Sequence, residues 1–546
     1  MKIELTNEQK NAIDHPGHMV LTACPGSGKT AVIIERIIND LSSCNDYQGV
    51  IAISYTNKAS DELKKRCGKY LSNIKSSFFG TMDKFYLTEI IYKYISHLWG
   101  KVETINTIKL DALSIDWQKY LSEYCDMKSI CADIGNYDFS KMQNLYLKGF
   151  IVLEFVPLLA YYILIKSLAC NRCFSSKYIS LYVDEYQDAG YVQHAIFLYL
   201  SSLSIRSTAV GDVDQAIYSY AGRSSEYLIE LTGKGSGFEP FKLTLNHRSH
   251  SSIVNYASRL IDKGCPLLKS EGNFVERICI NGNQSQIASW IDSQIEGIKV
   301  RFKIKKESEI AILLATNGSV SMISNLVKTK SRAYLDDSLS KISGDTSALI
   351  KYLMMYRYNN NATAQGIIDG TKNKILSKLE MKSLRRSIGN VRTVEYENLI
   401  PAIRAVIKEL TGCEIYSNHI DAINEIIASK MMINNYLPVR DDELQIMTLH
   451  KSKGLEFDYV FHLDLYDWIL PRREFIKGSY DEVFTNYEQC LNLHYVGITR
   501  AKKCVVLVNS SERYNFQNEL KKARPSQFLS LDGLKGLYTE LIYNSN

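Results

Sequence analysis

The pattern of apolar and polar positions predicts a mixed α/β protein. Residues 20–23 are apolar except for Thr22, and a glycine-rich turn leads from them into an amphipathic stretch over residues 31–41. That order predicts a buried parallel strand, a tight loop and a helix. Two further apolar runs, residues 178–188 and 207–215, end in polar side chains. We predict that these runs are strands of an open α/β sheet, whose ligands lie at the carboxyl ends of the strands.

Length and composition indicate a globular protein with several domains. A chain of 546 residues is several times the usual length of one domain, so we expect two or more hydrophobic cores. Hydrophobic residues make up 45% of the chain and charged residues 23%, which are ordinary values for globular proteins. Disordered and fibrous classes are therefore excluded.

No segment has the pattern of a membrane anchor. The longest apolar stretch, residues 155–165, contains Pro157 and lies between Glu154 and Lys166, so we predict a buried helix there and no membrane partner. The first eight residues lack the apolar core of a signal peptide, which favours a cytoplasmic location.

The cysteines fit free thiols in a reducing compartment. Twelve are scattered along the chain without an even framework. Cys170 and Cys173 form a CxxC pair, and with Cys125 and Cys131 they would suffice for zinc or an iron–sulfur cluster. The spacing of the upstream pair is unusual for ligands, so we favour buried cysteines over a metal.

The turn after the first strand has the residues of a phosphate-binding loop. Gly26, Ser27 and Gly28 allow backbone N–H groups to surround phosphate oxygens at the start of a helix. Lys29 then reaches the β- and γ-phosphates, and the Thr30 hydroxyl binds Mg²⁺. The expected ligands are ATP and Mg²⁺, although such loops serve kinases, GTPases and motors alike.

The second and third strands end in residues suited to nucleotide hydrolysis. Asp184 would hold Mg²⁺ through water, and Glu185 would polarise the water that attacks the γ-phosphate. The amide of Gln215 would sense that phosphate. Taken alone, the two carboxylates also fit an acidic loop, and Gln215 fits a surface position.

Motifs in a fixed order give the chain a resemblance to superfamily 1A DNA helicases of the UvrD/Rep/PcrA family. The resemblance extends from residue 5 to about residue 507, over the following segments: 5–13 (LTNEQKNAI), 20–30, 55–60 (YTNKAS), 80–85 (GTMDKF), 184–188 (DEYQD), 210–220 (VGDVDQAIYSY), 245–249 (LNHRS), 447–457 (MTLHKSKGLEF) and 495–501 (YVGITRA).

The resemblance implies further nucleotide contacts. Gln9 corresponds to the residue that reads adenine, and Arg248 and Arg500 to two arginine fingers from the second motor domain. Their guanidinium groups would stabilise charge that develops on the γ-phosphate. His247 stands where the family usually stacks a tyrosine on adenine, while Gly454 and Glu456 would lie near the ribose and the phosphates.

The resemblance also implies contacts with single-stranded DNA. Tyr55 and Tyr220 match positions at which bases stack on aromatic rings. Asn57 belongs to the first of these motifs, and Thr81 and His450 would contact the DNA backbone.

The same resemblance implies two RecA-like P-loop motor domains, each a parallel sheet flanked by helices, with two mainly helical inserted subdomains. The helical prediction draws on runs such as residues 350–356 and 402–410. The second insertion is shorter than in the full-length enzymes. The expected domains are 1-85 plus 175-240 (1A), 86-174 (1B), 241-330 plus 440-546 (2A) and 331-439 (2B).

Charge alone leaves the nucleic-acid question open, since the net charge is only +6. Residues 371–392 contain one acid, Glu380, and a cluster of basic residues that fits either a duplex-binding surface or a solvated helix face. The basic residues are Lys372, Lys374, Lys378, Lys382, Arg385, Arg386 and Arg392.

The function that the resemblance implies is ATP-driven, 3′-to-5′ movement along single-stranded DNA, with action at junctions between single and double strands. An alternative is a nucleotide-dependent DNA sensor that licenses a separate nuclease in repair or defence, as short UvrD-like proteins of the Gabija type make plausible. A P-loop kinase would leave Arg248, Arg500 and residues 447–457 without a role.

Overall fold

We describe the chain from a computed structural model, which covers residues 5–54, 57–71, 73–215, 225–342, 345–371, 377–412, 414–474, 483–515, 517 and 519–541. The strands in these ranges are β1 Met19–Ala23, β2 Gly49–Ile53, β3 Phe78–Gly80, β4 Asn106–Ile108, β5 Phe150–Val152, β6 Tyr178–Val183, β7 Arg206–Gly211, β8 Glu239–Leu243, β9 Val275–Ile280, β10 Ile310–Leu314, β11 Ser331–Ala333, β12 Leu444–Thr448, β13 Phe457–His462, β14 Arg473–Glu474, β15 Val483–Phe484, β16 Ala501–Ser510, β17 Glu512–Tyr514, β18 Leu520–Lys522 and β19 Thr539–Glu540.

The helices in the same ranges are α1 Asn7–Asp14, α2 Lys29–Ser43, α3 Asn57–Tyr70, α4 Met82–Phe85, α5 Tyr92–Trp99, α6 Ile115–Leu121, α7 Met127–Ala132, α8 Ser140–Leu147, α9 Val156–Lys166, α10 Leu168–Lys177, α11 Tyr191–Ser202, α12 Glu226–Leu231, α13 Ser251–Ile261, α14 Gln284–Phe302, α15 Asn317–Leu326, α16 Ser338–Lys341, α17 Asp345–Tyr358, α18 Ala364–Thr371, α19 Lys378–Thr393, α20 Leu399–Thr411, α21 Ser417–Ala428, α22 Lys430–Ile433 and α23 Tyr487–Thr499. A π-helix, Tyr86–Ile91, joins α4 to α5.

Two parallel sheets organise the molecule. The first has the strand order β3-β2-β6-β7-β1-β8, and the second β11-β12-β10-β13-β16-β9-β19. Central strands such as β2 and β10 are buried along their whole length, because helices cover both faces of a parallel sheet. The predicted α/β fold class with parallel sheets is confirmed.

The three strands predicted around the phosphate-binding loop are neighbours in the first sheet. In the register of the sheet, Thr22 lies opposite Gly211, and Val183 lies opposite Ala209. The carboxyl ends of β1, β6 and β7 therefore meet at one edge. This register is what assembles the candidate site.

Most of the helical segments lie in two stretches of the chain outside the sheets. Helices α5 to α10 lie in one of these stretches, together with a small parallel pair, β4 and β5. Helices α16 to α22 have their own core, which includes Leu353, Ile388 and Ile423. The buried helix predicted over residues 155–165 is α9, Val156–Lys166.

Two sequence-based boundaries differ from the sheet pairing. β8, Glu239–Leu243, pairs with β1, so residues 241–243 belong to the first sheet and not to the second motor domain. β11, Ser331–Ala333, pairs with β12, so it belongs to the second sheet and not to the second insertion. Both strands lie at sheet edges, where a short segment gives little periodicity to detect.

Within the described residues, no single helix is long and apolar enough to span a bilayer; Leu153–Lys166 and Leu168–Lys177 meet that test only as a joined pair bent by 93°. The described residues also contain no group of three or more His, Cys, Asp or Glu side chains placed to hold a metal ion. Of the four cysteines considered above, Cys131 and Cys170 are buried, and Cys125 and Cys173 are exposed.

Candidate active site

The phosphate-binding loop follows β1 and ends at α2. Gly28 is the N-cap residue of α2, with a φ of 86°. The Ser27 hydroxyl donates a hydrogen bond to the Cys24 carbonyl at 2.7 Å, which closes the loop on itself. Thr30 lies in the first turn of α2 and is partly exposed. The loop therefore has the strand, turn and helix order that phosphate binding requires.

Lys29 faces the acidic edge of the first sheet. Its Nζ donates to the Ala23 carbonyl at 3.3 Å and lies 3.9 Å from Asp212 Oδ2. Asp212 follows β7 directly and is buried. Burial raises the pKa of Asp212, and the positive charge of Lys29 opposes that rise. Asp212 was not a candidate from the sequence, although its place just after a strand is the same signal that identified Asp184.

Asp184 and Glu185 lie where β6 ends. Burial raises the pKa of Asp184, the adjacent Glu185 carboxylate adds to the rise, and Lys29 opposes it. For Glu185, burial is outweighed by Lys29, Lys453 and further donors, so the pKa of Glu185 falls below its usual value. The two carboxylates thus differ: Glu185 keeps its charge, and Asp184 lacks a sufficient positive partner. A hard divalent cation would supply one.

Gln9 contacts the phosphate-binding loop from α1. Its Nε2 donates to the Ser27 carbonyl at 3.0 Å. Its Oε1 accepts the Thr6 N–H at 2.9 Å, as part of the capping box at the start of α1. The side chain is buried, and its amide is oriented by these two bonds.

Residues 246–250 connect the loop to the second sheet. The Asn246 side chain donates to the Pro25 carbonyl at 2.7 Å, and the His247 N–H donates to the Gly26 carbonyl at 2.9 Å. The Ser249 hydroxyl donates to the carbonyl of Ala501, the first residue of β16, at 2.6 Å. The segment thus links two elements that are far apart in sequence. The His247 side chain is exposed.

Arg248 lies directly against the phosphate-binding loop. A Cβ built on Gly26 would be 2.5 Å from Arg248 Cβ, and Gly26 has a φ of 71°. Only glycine satisfies both conditions, because a side chain there would be strained and would collide. The Arg248 Nε atom lies 2.7 Å from Glu456 Oε2, so Glu456 holds this arginine beside the loop. Gly454 lies nearby in sequence, is exposed and has a φ of 80°.

Arg500 crosses from the second sheet to the first. Its Nη2 donates to Gln215 Oε1 at 2.9 Å, while its Nε and Nη1 donate to the carbonyls of Val496 and Leu455 at 3.1 and 3.2 Å. Burial and the neighbouring charge of Arg248 lower the pKa of Arg500 to about 10, so it stays protonated at neutral pH. Both arginines therefore lie at the carboxyl edge of the first sheet.

Lys453, which the sequence did not single out, makes a second connection between the sheets. Its Nζ donates to Asp188 Oδ2 at 2.5 Å and to the Gln215 carbonyl at 3.1 Å, and it lies 3.9 Å from Glu185 Oε2. Burial raises the pKa of Asp188 to about 6, against the opposing effect of Lys453. The family motif around Lys453 points to His450, Gly454 and Glu456 and gives no separate signal for this lysine.

The candidate DNA contacts are only partly described. Tyr55 and Tyr220 lie outside the described residues, as does the side chain of Asn57, the first residue of α3. Thr81 is the N-cap of α4, and its hydroxyl accepts the Lys84 N–H at 3.4 Å. His450 is partly buried after β12; burial lowers the pKa of its imidazole, and Lys453 lowers it further.

The basic cluster is divided by the structure. Arg392 stacks on Tyr356 and donates to the Tyr356 carbonyl at 2.9 Å, so it stabilises the end of α17 and does not belong to a DNA-binding surface. Lys372 and Lys374 lie outside the described residues. The remaining members are exposed on α19: Lys378, Lys382, Arg385 and Arg386.

Family comparisons agree with this arrangement. The UvrD/REP helicase N-terminal domain matches residues 5–129 and 106–234, and the UvrD-like helicase C-terminal domain matches residues 339–512. The chain belongs to the UvrD/Rep helicase family. It is an ATP-dependent enzyme that acts on DNA, as a DNA-dependent ATPase of the helicase type.

The relatives of this helicase have low sequence identity to it, but the similarity extends along nearly their whole length. The Gabija protein GajB of Bacillus cereus (strain VD045) is 26% identical over 535 residues, which cover 93% of this chain and 96% of that protein. The ATP-dependent DNA helicase Rep of Buchnera aphidicola subsp. Acyrthosiphon pisum is 26% identical over 640 residues, which cover 96% of this chain and 98% of that protein. The ATP-dependent DNA helicase Rep of Escherichia coli (strain K12) is 24% identical over 647 residues, which cover 96% of this chain and 94% of that protein.

Proposed function

We propose that the protein hydrolyses ATP between its two parallel sheets and uses the resulting closure and opening to move along single-stranded DNA in the 3′-to-5′ direction. The observation that carries this proposal is the position of Arg248 and Arg500. Both belong to segments bonded to the second sheet, yet Arg248 lies against Gly26 and Arg500 donates to Gln215. A nucleotide on the loop would therefore be shared between the sheets. The polarity is carried over from the family resemblance.

The residues of the first sheet have the chemistry to bind the nucleotide and polarise water. Lys29 and the backbone of residues 26–30 would bind the phosphates, and Gln9 is adjacent to the loop. Glu185 keeps its negative charge beside Lys29 and would polarise the attacking water. Arg248 and Arg500 would stabilise charge on the γ-phosphate, as arginine fingers do.

Thr30 and Asp184 would hold Mg²⁺. A hydroxyl and a carboxylate are oxygen ligands of the type this cation prefers. The raised pKa of Asp184 indicates a position that needs positive charge. When bound, the cation would neutralise part of the charge on the phosphates.

Movement would follow from the coupling between the sheets. Lys453 and Arg500 are bonded to Asp188 and Gln215 across the interface, so a change at the nucleotide changes the contact between the two halves. Thr81 and His450 come from segments attached to the first and second sheet, respectively. A DNA strand held by both would be displaced when the sheets open and close.

A second candidate function is a nucleotide-dependent DNA sensor that licenses a separate nuclease without processive unwinding. The alignment with GajB covers 93% of this chain over 535 positions, whereas the alignment with Buchnera Rep needs 640 positions for a chain of 546 residues. Rep thus contains segments that this chain lacks, and GajB is closer in size. This similarity supports the sensor as an alternative.

Two measurements on the purified protein separate the candidates. Steady-state ATPase activity with and without single-stranded DNA tests the shared site, and we expect roughly tenfold or greater stimulation by DNA. Strand displacement on duplexes with a 3′ or a 5′ single-stranded tail tests movement and polarity. Displacement of the 3′-tailed duplex supports the translocase. Stimulated ATPase activity with no displacement of either substrate would favour the sensor, and an absence of DNA stimulation would contradict both.

A further inference from the structure

Gln187 occupies a central position in the site although neither the motifs nor the proposed mechanism assigns it a role. It lies in the 3₁₀ turn Tyr186–Asp188, which directly follows Asp184 and Glu185. Its side chain is fully buried, with an exposed fraction of 0%. Its Nε2 donates to Glu185 Oε2 at 2.5 Å, and its Oε1 accepts the Asp212 N–H at 3.0 Å.

These two bonds fix the orientation of the amide. A rotation of the amide by 180° would place its oxygen against the Glu185 carboxylate and its NH₂ group against the Asp212 N–H. Both contacts would then be repulsive. Because the side chain is buried, water offers no substitute partner. Gln187 therefore holds one oxygen of Glu185 in a defined place.

Further hydrogen bonds lead from the side-chain carboxylate of Asp212 to the second sheet. Asp212 Oδ2 accepts the Gln215 Nε2 at 2.5 Å, and Gln215 Oε1 accepts the Arg500 Nη2 at 2.9 Å. Glu185, Gln187, Asp212, Gln215 and Arg500 thus form one connected series, which we call the relay. It joins the carboxylate that would polarise water to a cation of the other sheet.

Two backbone features indicate that the relay requires a defined geometry. Glu185 has a φ of 56°, in the left-handed region that residues other than glycine rarely adopt. A Cβ built on Gly211 would lie 2.5 Å from Gln187 Oε1 and 2.7 Å from Leu228 Cδ2. The glycine before Asp212 therefore leaves the space that the Gln187 amide occupies. Strained backbone of this kind persists where the surroundings over-determine it.

We propose that Gln187 is a positioning residue, which orients the Glu185 carboxylate and makes that orientation depend on whether Arg500 is engaged with Gln215. The inference rests on the proposed function, because it assigns Glu185 to water polarisation. When the sheets are engaged, the relay is complete and Glu185 is held for hydrolysis. When Arg500 withdraws, Gln215 loses its bond to the second sheet, Asp212 is held by one partner that is itself less constrained, and the orientation of Glu185 through Gln187 becomes less fixed. DNA would then accelerate hydrolysis by favouring the engaged state.

The test compares Gln187→Met with the parent protein. Methionine is close to glutamine in size and removes both hydrogen bonds. We expect the turnover number with single-stranded DNA to fall by roughly tenfold or more, because an interaction that acts in the transition state is lost. KM for ATP and the affinity for a fluorescent ATP analogue should stay within about threefold of the parent values. Turnover without DNA should fall less, so the stimulation ratio decreases.

Two further variants complete the design. Gln118→Met is the control, because it makes the same substitution and likewise removes two hydrogen bonds, here from Gln118 Nε2 to the carbonyls of Asp111 and Leu113, outside the site; its kinetics should equal those of the parent. Gly211→Ala keeps glutamine at position 187 but forces its Oε1 to move, because the added Cβ would lie 2.5 Å from that atom. Gly211→Ala should also lower DNA-stimulated turnover. The inference therefore remains testable if Gln187→Met folds poorly.

The outcomes separate this inference from the proposed function. A parent protein stimulated by DNA, together with Gln187→Met and Gly211→Ala variants that keep the parent stimulation ratio, would overturn the positioning role alone. A loss of turnover that merely follows a loss of folded protein or of nucleotide affinity in both variants would also overturn it. A parent protein without DNA stimulation would overturn the proposed function, and this inference with it.

Discussion

The carboxyl edge of the first sheet and the segments at the amino end of β16 in the second sheet contribute opposite charges to the candidate site. The first sheet brings three carboxylates together near its own Lys29: Asp184, Glu185 and Asp212. Burial raises the pKa of Asp184 and Asp212. Segments of the second sheet bring Arg500, whose pKa burial and Arg248 lower to about 10. Each half is electrostatically unfavourable by itself. Under the proposed function, contact between the halves would take part in the chemistry as well as in the packing.

The largest effect should come from the lysine of the first sheet. Lys29→Ala removes the positive charge that opposes the raised pKa of Asp184 and Asp212 and that would bind the phosphates. We expect DNA-stimulated ATP turnover to fall by about a thousandfold, measured under steady-state conditions. Lys141→Ala, which removes a partly exposed lysine paired with Glu123 outside the site, is the control and should leave turnover unchanged. Turnover of Lys29→Ala within about tenfold of the parent would contradict the assignment of the loop.

The next largest effect should come from the arginine of the second sheet. Arg500→Ala removes the donor to Gln215 and the charge expected at the γ-phosphate. We expect a loss of roughly a hundredfold in DNA-stimulated turnover, with nucleotide affinity changed much less. Arg301→Ala is the control, because it makes the same substitution at an arginine that pairs with Glu276 outside the site. If Arg500→Ala turned over ATP like Arg301→Ala, the two-sheet mechanism would be wrong.

A smaller effect is expected at the second connection between the sheets. Lys453→Met leaves Asp188 buried without the ammonium group that now lies 2.5 Å away, so the pKa of Asp188 should rise above about 6. We expect DNA-stimulated turnover to fall by roughly tenfold, since the catalytic groups keep their places and only the coupling weakens. Lys451→Met is the control, because Lys451 pairs at the surface with Asp336. Equal turnover in the two variants would show that Lys453 is only a packing contact.

The smallest expected effect is a loss of stability at low pH that comes from a pair of histidines in the core of one of the two sheets. His462 and His494 are fully buried in the second, with His494 Nδ1 and His462 Nε2 2.9 Å apart, and burial lowers the pKa of His462 to about 4. An unfolded histidine takes up a proton near pH 6.5, so stability is complete above that pH and is lost as pH falls toward 4. Between about pH 7 and about pH 5.5 we expect a loss of roughly 1 kcal/mol, or a few degrees in the melting temperature.

Differential scanning fluorimetry across this pH range checks the expectation. His462→Leu should flatten the acid slope, because it removes the group whose protonation the fold resists. His97→Ala, which changes an exposed histidine on α5, should leave the slope as in the parent. An unchanged slope in His462→Leu would mean that the acid sensitivity arises elsewhere.

The local sequence pattern by itself determined those parts of the site that lie within one short segment of the chain. The apolar run at residues 20–23 and the glycines after it specify a strand, a loop and a helix, and the structure has β1, the loop and α2 in those places. The run that begins at Tyr178 ends as β6 at Val183, one residue before Asp184. Such segments are predictable because their periodicity and turn chemistry are set by neighbouring residues.

Only the tertiary structure decided which distant residues meet. Lys453 contacts Asp188, Arg500 contacts Gln215, and Arg392 stacks on Tyr356 within the second helical region. In the sequence, Arg392 was one member of a basic cluster, and Lys453 was one lysine in a motif. Charge and residue type are local properties, whereas the partner of a buried charge is set by strand register and by the packing of the sheets. Burying an unpaired charge costs free energy, so the partner that each buried charge meets determines the role it can have.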